Sequence, residues 1–368
     1  MVPVRETVLE IDLKALKHNY NYLKSKINQD VKFLAVVKAF GYGSDAIKIA
    51  KYLEELHVDY FAVAYVSEGI KLRKAGVTSP ILVLHPQIVN LKSLITHSLE
   101  PSLYNAKILN AFLEIAQAEK QTDYPVHIKF NTGLNRLGFW ENDVGYIISK
   151  LENTSSTRVK SIFSHLAASE DMKEQPFTSD QIKSFKRITE KCFEKLGYKA
   201  LLHLCNTSGI LNYPDAHFNM VRCGIGLYGY GNSETENKNL IPIVSLKSII
   251  SQIHMIEKDE TVGYNRAYKS IGVEKIATIP IGHADGIGRH FGNGKGFVYI
   301  NGKRANIIGN VCMDMIMINI TDIDCSEGDE VILFDKVHSV EVLAKKVNTI
   351  SYEMLTSVSQ RIKRVFHR

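Results

Sequence analysis

The residue best placed for covalent chemistry is Lys38, which closes the run Phe33-Leu34-Ala35-Val36-Val37-Lys38 and precedes Ala39-Phe40-Gly41-Tyr42-Gly43. The run is apolar throughout, the pattern of a strand buried on both faces. An ammonium at the end of such a strand is costly to bury, so it has a partner or a job. One job is a Schiff base with a carbonyl, which needs an amine of lowered pKa. The segment also fits a lysine at the strand's wet end whose stem merely packs. Other polar residues stand in the same relation to later apolar runs. Asn131 and Arg136 follow 126–130, His165 ends 159–165, Asn206 and Thr207 follow 200–205, and Arg222 with Gly224-Ile225-Gly226 ends 220–222. Hydroxyls and free backbone amides can cradle a phosphate. The arginines suit a carboxylate or a ring nitrogen.

These residues need a scaffold that gathers strand ends. Up to about residue 230, apolar runs near 32–38, 60–64, 81–84, 100–102, 126–130, 159–165, 200–205 and 220–222 alternate with helical patterns such as 46–56, 106–118 and 180–196. Ser179-Asp180-Gln181 reads as the start of the last of these helices. Eight strands alternating with helices predict a parallel (β/α)8 TIM-type barrel, whose chemistry lies at the C-terminal strand ends. A doubly wound sheet is the alternative, but no GxGxxG follows the first strand. Taken singly, Arg136 fits a surface ion pair, His165 a core histidine, and Gly224 and Gly226 plain turns. Their shared placement is what favours a site.

The composition changes at 231–239, a polar stretch without periodicity that reads as a linker. Short alternating runs follow at 276–281, 296–300, 307–311, 316–320 and 330–334, predicting a mostly antiparallel β domain, then a last helix over about 352–365. The expected division is 1–233 and 234–368, with the strand at about 7–11 free to join the second part. That part offers Val262-Gly263-Tyr264, Gly282-His283-Ala284-Asp285-Gly286 and Val311-Cys312-Met313-Asp314. A tyrosine beside a glycine can be approached closely, but its pKa must fall before it acts as a base near neutrality. Cys312-Met313 also fits ordinary core packing.

Composition narrows the classes. The net charge of +6 is mild, and the densest basic patch, Arg361-Ile362-Lys363-Arg364, lacks interleaved aromatics, so nucleic-acid binding is not expected. Arg5, Glu6 and Glu10 interrupt any signal-peptide core, and no apolar run reaches the roughly 20 residues of a membrane span. The five cysteines, Cys192, Cys205, Cys223, Cys312 and Cys325, show no CxxC spacing. That argues against a disulfide framework or a zinc site and fits the cytoplasm.

The motifs together resemble the alanine racemase family, fold-type III pyridoxal-phosphate enzymes, from the first strand to the last helix. Ala35-Val36-Val37-Lys38-Ala39-Phe40-Gly41-Tyr42-Gly43 is similar to A-V-V-K-A-N-A-Y-G. The match implies that Lys38 links covalently to pyridoxal 5'-phosphate and that Tyr42 contacts the phosphate. Val221 to Gly229 is similar to V-R-P-G-I-x-L-Y-G. There Arg222 would hold the pyridine nitrogen, and the amides of Gly224 and Ile225 would bind phosphate. The segment His203 to Thr207 matches H-x-A-N-S, with Asn206 in the site and Thr207 in place of the serine. His165 would pack on the cofactor ring, and Tyr352 would line the cofactor and substrate site. Tyr264 matches the catalytic tyrosine, and Cys312-Met313-Asp314 matches V-C-M-D on the substrate side. The resemblance also implies a head-to-tail homodimer in which Tyr264 of one chain meets Lys38 of the other, and a carbamylated lysine, here Lys129, bracing Arg136.

Four departures from the pattern matter: Phe40 for asparagine, Asn131 for aspartate, Cys223 for proline, and His283 for the tyrosine of G-Y-A-D-G. The Lys38 motif is similar to that in the racemase portion of bifunctional chains carrying a cell-wall ligase. A stand-alone racemase or an excised half is expected, since 368 residues leave no room for the ligase. The implied reaction interconverts L- and D-alanine, supplying D-alanine for peptidoglycan, with Lys38 and Tyr264 as the two bases and Arg136 orienting the tyrosine. A racemase of broader scope (serine or basic amino acids), a fold-type III decarboxylase, and a non-catalytic pyridoxal-phosphate carrier stand as alternatives.

Overall fold

The structure, a computed structural model, describes residues 6–368; Arg5, used above in reading the N-terminus, lies outside them. The chain divides into two compact units, one comprising Lys17–Gly41 and Ala46–Leu240, the other the N-terminal segment to Leu16, Tyr42–Asp45 and Ile241–Arg368. Among the described residues no helix is long and apolar enough to cross a membrane.

After β1 (Val8–Asp12), the first unit contains β2 (Lys32–Val36), β3 (Tyr60–Val63), β4 (Ile81–Val83), β5 (Glu100–Leu103), β6 (Tyr124–Lys129), β7 (Thr157–Phe163), β8 (Leu201–His203) and β9 (Met220–Cys223). They pair in that order and close into a barrel, with β9 parallel to β2 in the register Leu34↔Arg222. The expected (β/α)8 barrel is therefore present, and the doubly wound sheet is excluded. β3 and β4 are buried at every position, which is why they read as unbroken apolar runs. Intervening helices turn one apolar stripe inward, as Ile49, Ala50 and Leu53 do on the helix Ala46–Glu55. The helix expected from Ser179 starts earlier, at Gln175, with proline in its first turn, and ends at Gly197 in the left-handed conformation. Proline tolerates the first turn because its missing N–H has no intrahelical acceptor there. Ser179-Asp180-Gln181 is helix interior, so its cap-like spelling misplaces the start.

The second unit holds β10 (Val244–Ile249), β11 (Gln252–Ile256), a short ribbon β12 (Thr261–Val262) and β13 (Tyr268–Lys269), then β14 (Glu274–Ile279), β15 (Phe297–Ile300), β16 (Lys303–Ile308), β17 (Ile316–Asn319), β18 (Glu330–Phe334) and β19 (Lys363–His367). A nine-stranded sheet runs β11-β14-β17-β16-β15-β18-β10-β1-β19. All its pairs are antiparallel except β1 with β19. The N-terminal strand does join this sheet, through Leu9↔Leu246. The last helix is shorter than expected: it spans Ser351–Ser357, and 363–367 is a strand. Val365 and Phe366 fit the helical spacing, but the edge of β1 offers the backbone a ladder, with Ile11 opposite Phe366. Tertiary pairing overrides the local pattern. The polar linker also carries one helical turn, Glu234–Asn237, capped by the Ser233 hydroxyl.

Candidate active site

Lys38 leaves the mouth end of β2 through an unusual backbone. Ala39 (φ 52°), Phe40 (φ 56°), Gly41 (φ 62°), Tyr42 (φ 50°) and Gly43 (φ 83°) are all left-handed, forming one turn of left-handed helix. Each L-residue in that region costs about 1–2 kcal/mol, so the turn persists only because its surroundings hold it. The Gly41 N–H donates to Val37 O at 3.0 Å, and the Ala39 N–H donates to Glu68 Oε1 at 2.7 Å. The other oxygen of Glu68 accepts from the N–H groups of Ala64 (2.7 Å) and Tyr65 (3.1 Å). One carboxylate thus ties the ends of β2 and β3 together. Sequence reading missed Glu68, although an acid three residues beyond a helix start is a recognisable capping signal. Burial, then the charge of Arg136, holds the Lys38 amine below its ordinary value, and Glu68 opposes them.

Arg222, 4 % exposed, is anchored by five contacts and none is to a carboxylate. Its Nη1 donates to His203 Nδ1 (2.9 Å) and His203 O (3.1 Å). Its Nη2 donates to Ser164 O (2.7 Å), Leu204 O (3.0 Å) and His165 Nδ1 (3.0 Å). A guanidinium can only donate, so both imidazoles must accept at Nδ1 and are neutral there. Burial and the Arg222 charge push both histidines well below the ordinary range. The Arg222 Nε takes none of these bonds.

Lys129 ends β6, 7 % exposed, 5.7 Å from the Phe163 ring, without an ion pair among the described residues. Burial, then Arg136, Arg222 and Lys38, pushes its amine down to about 7. Asn131 supplies no charge: its Oδ1 accepts from the Gly133 and Asn135 N–H groups, and its Nδ2 donates to Asn135 Oδ1 at 2.9 Å. Its amide shapes the loop that carries the exposed Arg136. The mouth therefore gathers Lys38, Lys129, Arg136 and Arg222, with Glu68 as the carboxylate acting on Lys38. It is built for anions.

An anion cradle lies in the same unit. Gly224 and Ile225 lead into the turn Ile225–Tyr228, and their N–H groups have no acceptor among the described residues. The Thr207 hydroxyl accepts from the Gly226 N–H at 3.3 Å and faces Cys223 Sγ at 3.6 Å. A Cβ on Gly226 would meet Thr207 Cγ2 at 2.6 Å, so only glycine fits there. Asn206 caps the helix Thr207–Asn212, with its Oδ1 accepting from Gly209 N and Ser169 Oγ. The barrel unit thus brings together Lys38, Lys129, Arg136, His165 and Arg222, and supplies the cradle.

The remaining candidates lie in the second unit. Tyr264 is 72 % exposed on a corner where Gly263 (φ 75°), Asn265 (φ 59°) and Arg266 (φ 50°) are left-handed. Asn310 donates to the Tyr264 carbonyl at 3.0 Å, and Val262 beneath packs with Ile276, Ile308 and Met317. Tyr264 is therefore an exposed side chain on a fixed platform. It lines a 440 Å³ cleft with Cys312, Met313 and Asp314. His283 is exposed, and its N–H donates to Cys312 O at 2.9 Å. Arg361 locks the two loops, donating to both oxygens of buried Asp285 (2.6 and 2.9 Å) and to Asp314 Oδ1 (2.6 Å). The rings of Tyr42 and Tyr352 lie 6.1 Å apart.

Comparison with known proteins agrees along the whole chain. Residues 11–232 match the family model "Alanine racemase, N-terminal domain", and residues 243–366 match "Alanine racemase, C-terminal domain". The alanine racemase of Thermodesulfovibrio yellowstonii is 35 % identical over 97 % of this chain and 96 % of its own. The solved alanine racemase of Clostridium difficile superposes with a TM-score of 0.92 at 35 % identity, over 100 % of this chain and 97 % of that one. The alanine racemase of Bartonella henselae, solved with covalently bound pyridoxal phosphate, superposes with a TM-score of 0.88 at 29 % identity, over 98 % and 99 % of the two chains. A closed eight-stranded barrel with a cationic mouth, a mostly antiparallel second unit, and matches to both family domains lead to one conclusion: the chain belongs to the alanine racemase family of isomerases.

Proposed function

We propose that the protein interconverts L- and D-alanine using pyridoxal phosphate held at the barrel mouth. The observation that carries this reading is the make-up of that mouth: two lysines and two arginines beside free amides at Gly224 and Ile225. The residues present fit the cofactor. The cradle of Gly224, Ile225 and Thr207 suits its phosphate, with Asn206 shaping that loop. The unused Arg222 Nε suits its ring nitrogen, and Lys38, with its amine held down, suits the covalent link. His165, held neutral by Arg222, presents a flat face for the ring. When bound, the cofactor supplies the sink for the electrons left as the Cα proton departs.

Racemisation then needs a base on each face of Cα. Lys38 serves one face. Tyr264 serves the other, supplied by a second copy of this chain in a homodimer, where an exposed tyrosine on a fixed corner finds its partner. Arg222 only donates, so it would hold a ring nitrogen at its Nε as an acceptor and restrain side reactions. Arg136 meets the substrate carboxylate and orients Tyr264. Cys312, Met313, Asp314, His283 and Tyr352 line the substrate's approach. Carbamylation of Lys129 places a negative charge between the arginines.

The test is D-enantiomer formation from L-alanine, L-serine and L-lysine by the reconstituted protein, followed by chiral chromatography. D-alanine formation well above the others supports the reading. No D-amino acid from any of the three overturns it.

A further inference from the structure

Behind Arg222 the barrel interior holds a continuous chain of polar side chains. His203 Nε2 lies 2.7 Å from Ser161 Oγ, Ser161 Oγ lies 2.5 Å from His127 Nδ1, and His127 Nε2 lies 2.7 Å from Glu100 Oε2. His127, Ser161 and His203 are each 0 % exposed. The strands bring them into line: Ser102↔His127 joins β5 to β6, His127↔Ser161 joins β6 to β7, and Phe163↔His203 joins β7 to β8. The Phe163 ring stacks on His203 with centroids 4.7 Å apart and planes 7° from parallel, fixing the imidazole plane. The far end is also held, because Tyr60 hydrogen-bonds Glu100 while Arg73 and Tyr124 lie close enough to feel its charge.

The two ends decide every proton. Arg222 only donates, so His203 must accept at Nδ1 and carry its proton on Nε2. That N–H donates to Ser161, whose hydroxyl has His127 Nδ1 as its one remaining partner among the described residues and so donates to it. His127 is left with its proton on Nε2, facing a carboxylate that accepts. All four bonds therefore run one way, from Arg222 through His203, Ser161 and His127 to Glu100. Aligned bonds in a dry interior polarise one another, so the Glu100 charge reaches the guanidinium without a direct ion pair. A direct carboxylate partner would compete for the donors of Arg222.

We propose that Glu100, His127 and Ser161 are positioning residues that fix the His203 tautomer and thereby the orientation and donor strength of Arg222 toward the cofactor's ring nitrogen. This inference rests on the cofactor reading given above.

The first test is nuclear magnetic resonance of the intact protein labelled with ¹⁵N-histidine. His127 and His203 should both be neutral with the proton on Nε2. A proton on His203 Nδ1, or an imidazolium, would overturn the proposal, and this measurement needs no variant. The second test is Ser161→Ala, which cuts the chain, against Ser161→Thr, which keeps the hydroxyl. With pyridoxal phosphate bound, Ser161→Ala should shift the visible absorption band and lower kcat about tenfold, with the alanine KM moving less than about twofold. Ser161→Thr should restore both. A Ser161→Ala protein with unchanged band and kcat, differing only in melting temperature, shows a merely structural chain and overturns the proposal. Failure of the wild type to bind pyridoxal phosphate sinks the cofactor reading itself, and the role assigned to the chain with it. The tautomer result stands apart from that outcome.

Discussion

Lys129 is the amine most directly open to test. It is 7 % exposed among Arg136, Arg222 and Lys38, and its amine falls from the ordinary 10.5 to about 7, first by burial and then by those cations. At pH 7.5 roughly three-quarters of such an amine is neutral, against about 0.1 % of an ordinary lysine. Carbon dioxide adds only to the neutral amine, so the reactive fraction rises several hundredfold. The unmodified side chain also burdens the fold. Its folded value lies below its unfolded value, so the unfolded chain binds the extra proton and stability rises with pH from about 7 to about 10.5. Below pH 7 the full cost applies, on the order of 5 kcal/mol. A carbamate is anionic and sits between two arginines, so modification removes that cost. In ¹³C-bicarbonate at pH 8 the folded protein should show one carbamate carbon signal, absent from Lys129→Met. In carbon-dioxide-free buffer the wild type should gain stability from pH 7 to 9.5, whereas Lys129→Met should lack that slope. A folded wild type with no carbamate signal at saturating bicarbonate, and a pH slope equal to that of Lys129→Met, would refute the reasoning.

Other outcomes follow from the site. Lys38→Ala, reconstituted with pyridoxal phosphate, should retain no borohydride-reducible lysine adduct at the site; persistence of one there counts against Lys38 as the covalent anchor. Lys38→Ala and Tyr264→Phe homodimers should each be nearly inactive, while chains mixed equally and refolded together should recover about a quarter of wild-type activity, because about half the dimers contain one intact site. Proven exchange without recovery would put both residues within one chain. His283→Tyr should lower serine turnover relative to alanine, since tyrosine is bulkier than imidazole, and an unchanged ratio removes His283 as a specificity element. Gly282→Ala places a Cβ 2.4 Å from the carbonyl oxygens of Cys312 and Met313, so denaturant unfolding should show a loss of about 2 kcal/mol; an unchanged midpoint would mean the two loops part freely.

The barrel was legible because its strands are buried on both faces and spell themselves as unbroken apolar runs. β3, β4 and β9 agree with the reading to within a residue at either end. β10 and β11 were not read, since Lys247 sits within the first and β11 has no buried position and no regular alternation. Lys247 is buried against Glu10 and Glu330, a pairing between distant segments that local pattern cannot show. The last helix was overextended for a similar reason: its second half is claimed by the edge of β1. In the site, Lys38, Arg222 and the Gly224 loop could be named from strand ends. Glu68 offered only its capping position, and the chain from Ser161 to Glu100 offered nothing, because its meaning lies in bonds across neighbouring strands. Asn131 is a substitution whose effect needed geometry: its amide serves its own loop and leaves Lys129 without a counter-ion.

The left-handed turn after Lys38 matters to anyone who would stabilise this chain by redesign. Ala39 and Phe40 are held in backbone angles that favour the opposite handedness of amino acid, so a racemase keeps part of its own L-chain in a shape natural to D-residues. A stability-driven search would put glycine at both positions, relieving about 1–2 kcal/mol of strain at each against an added chain entropy of up to about 1 kcal/mol. The same change would keep the backbone tether to Glu68 but widen the angles open to residues 39 and 40, loosening the turn that carries the Lys38 amine. Higher melting temperature and lower turnover would arrive together, making residues 39 and 40 poor targets for thermostabilisation despite their evident strain.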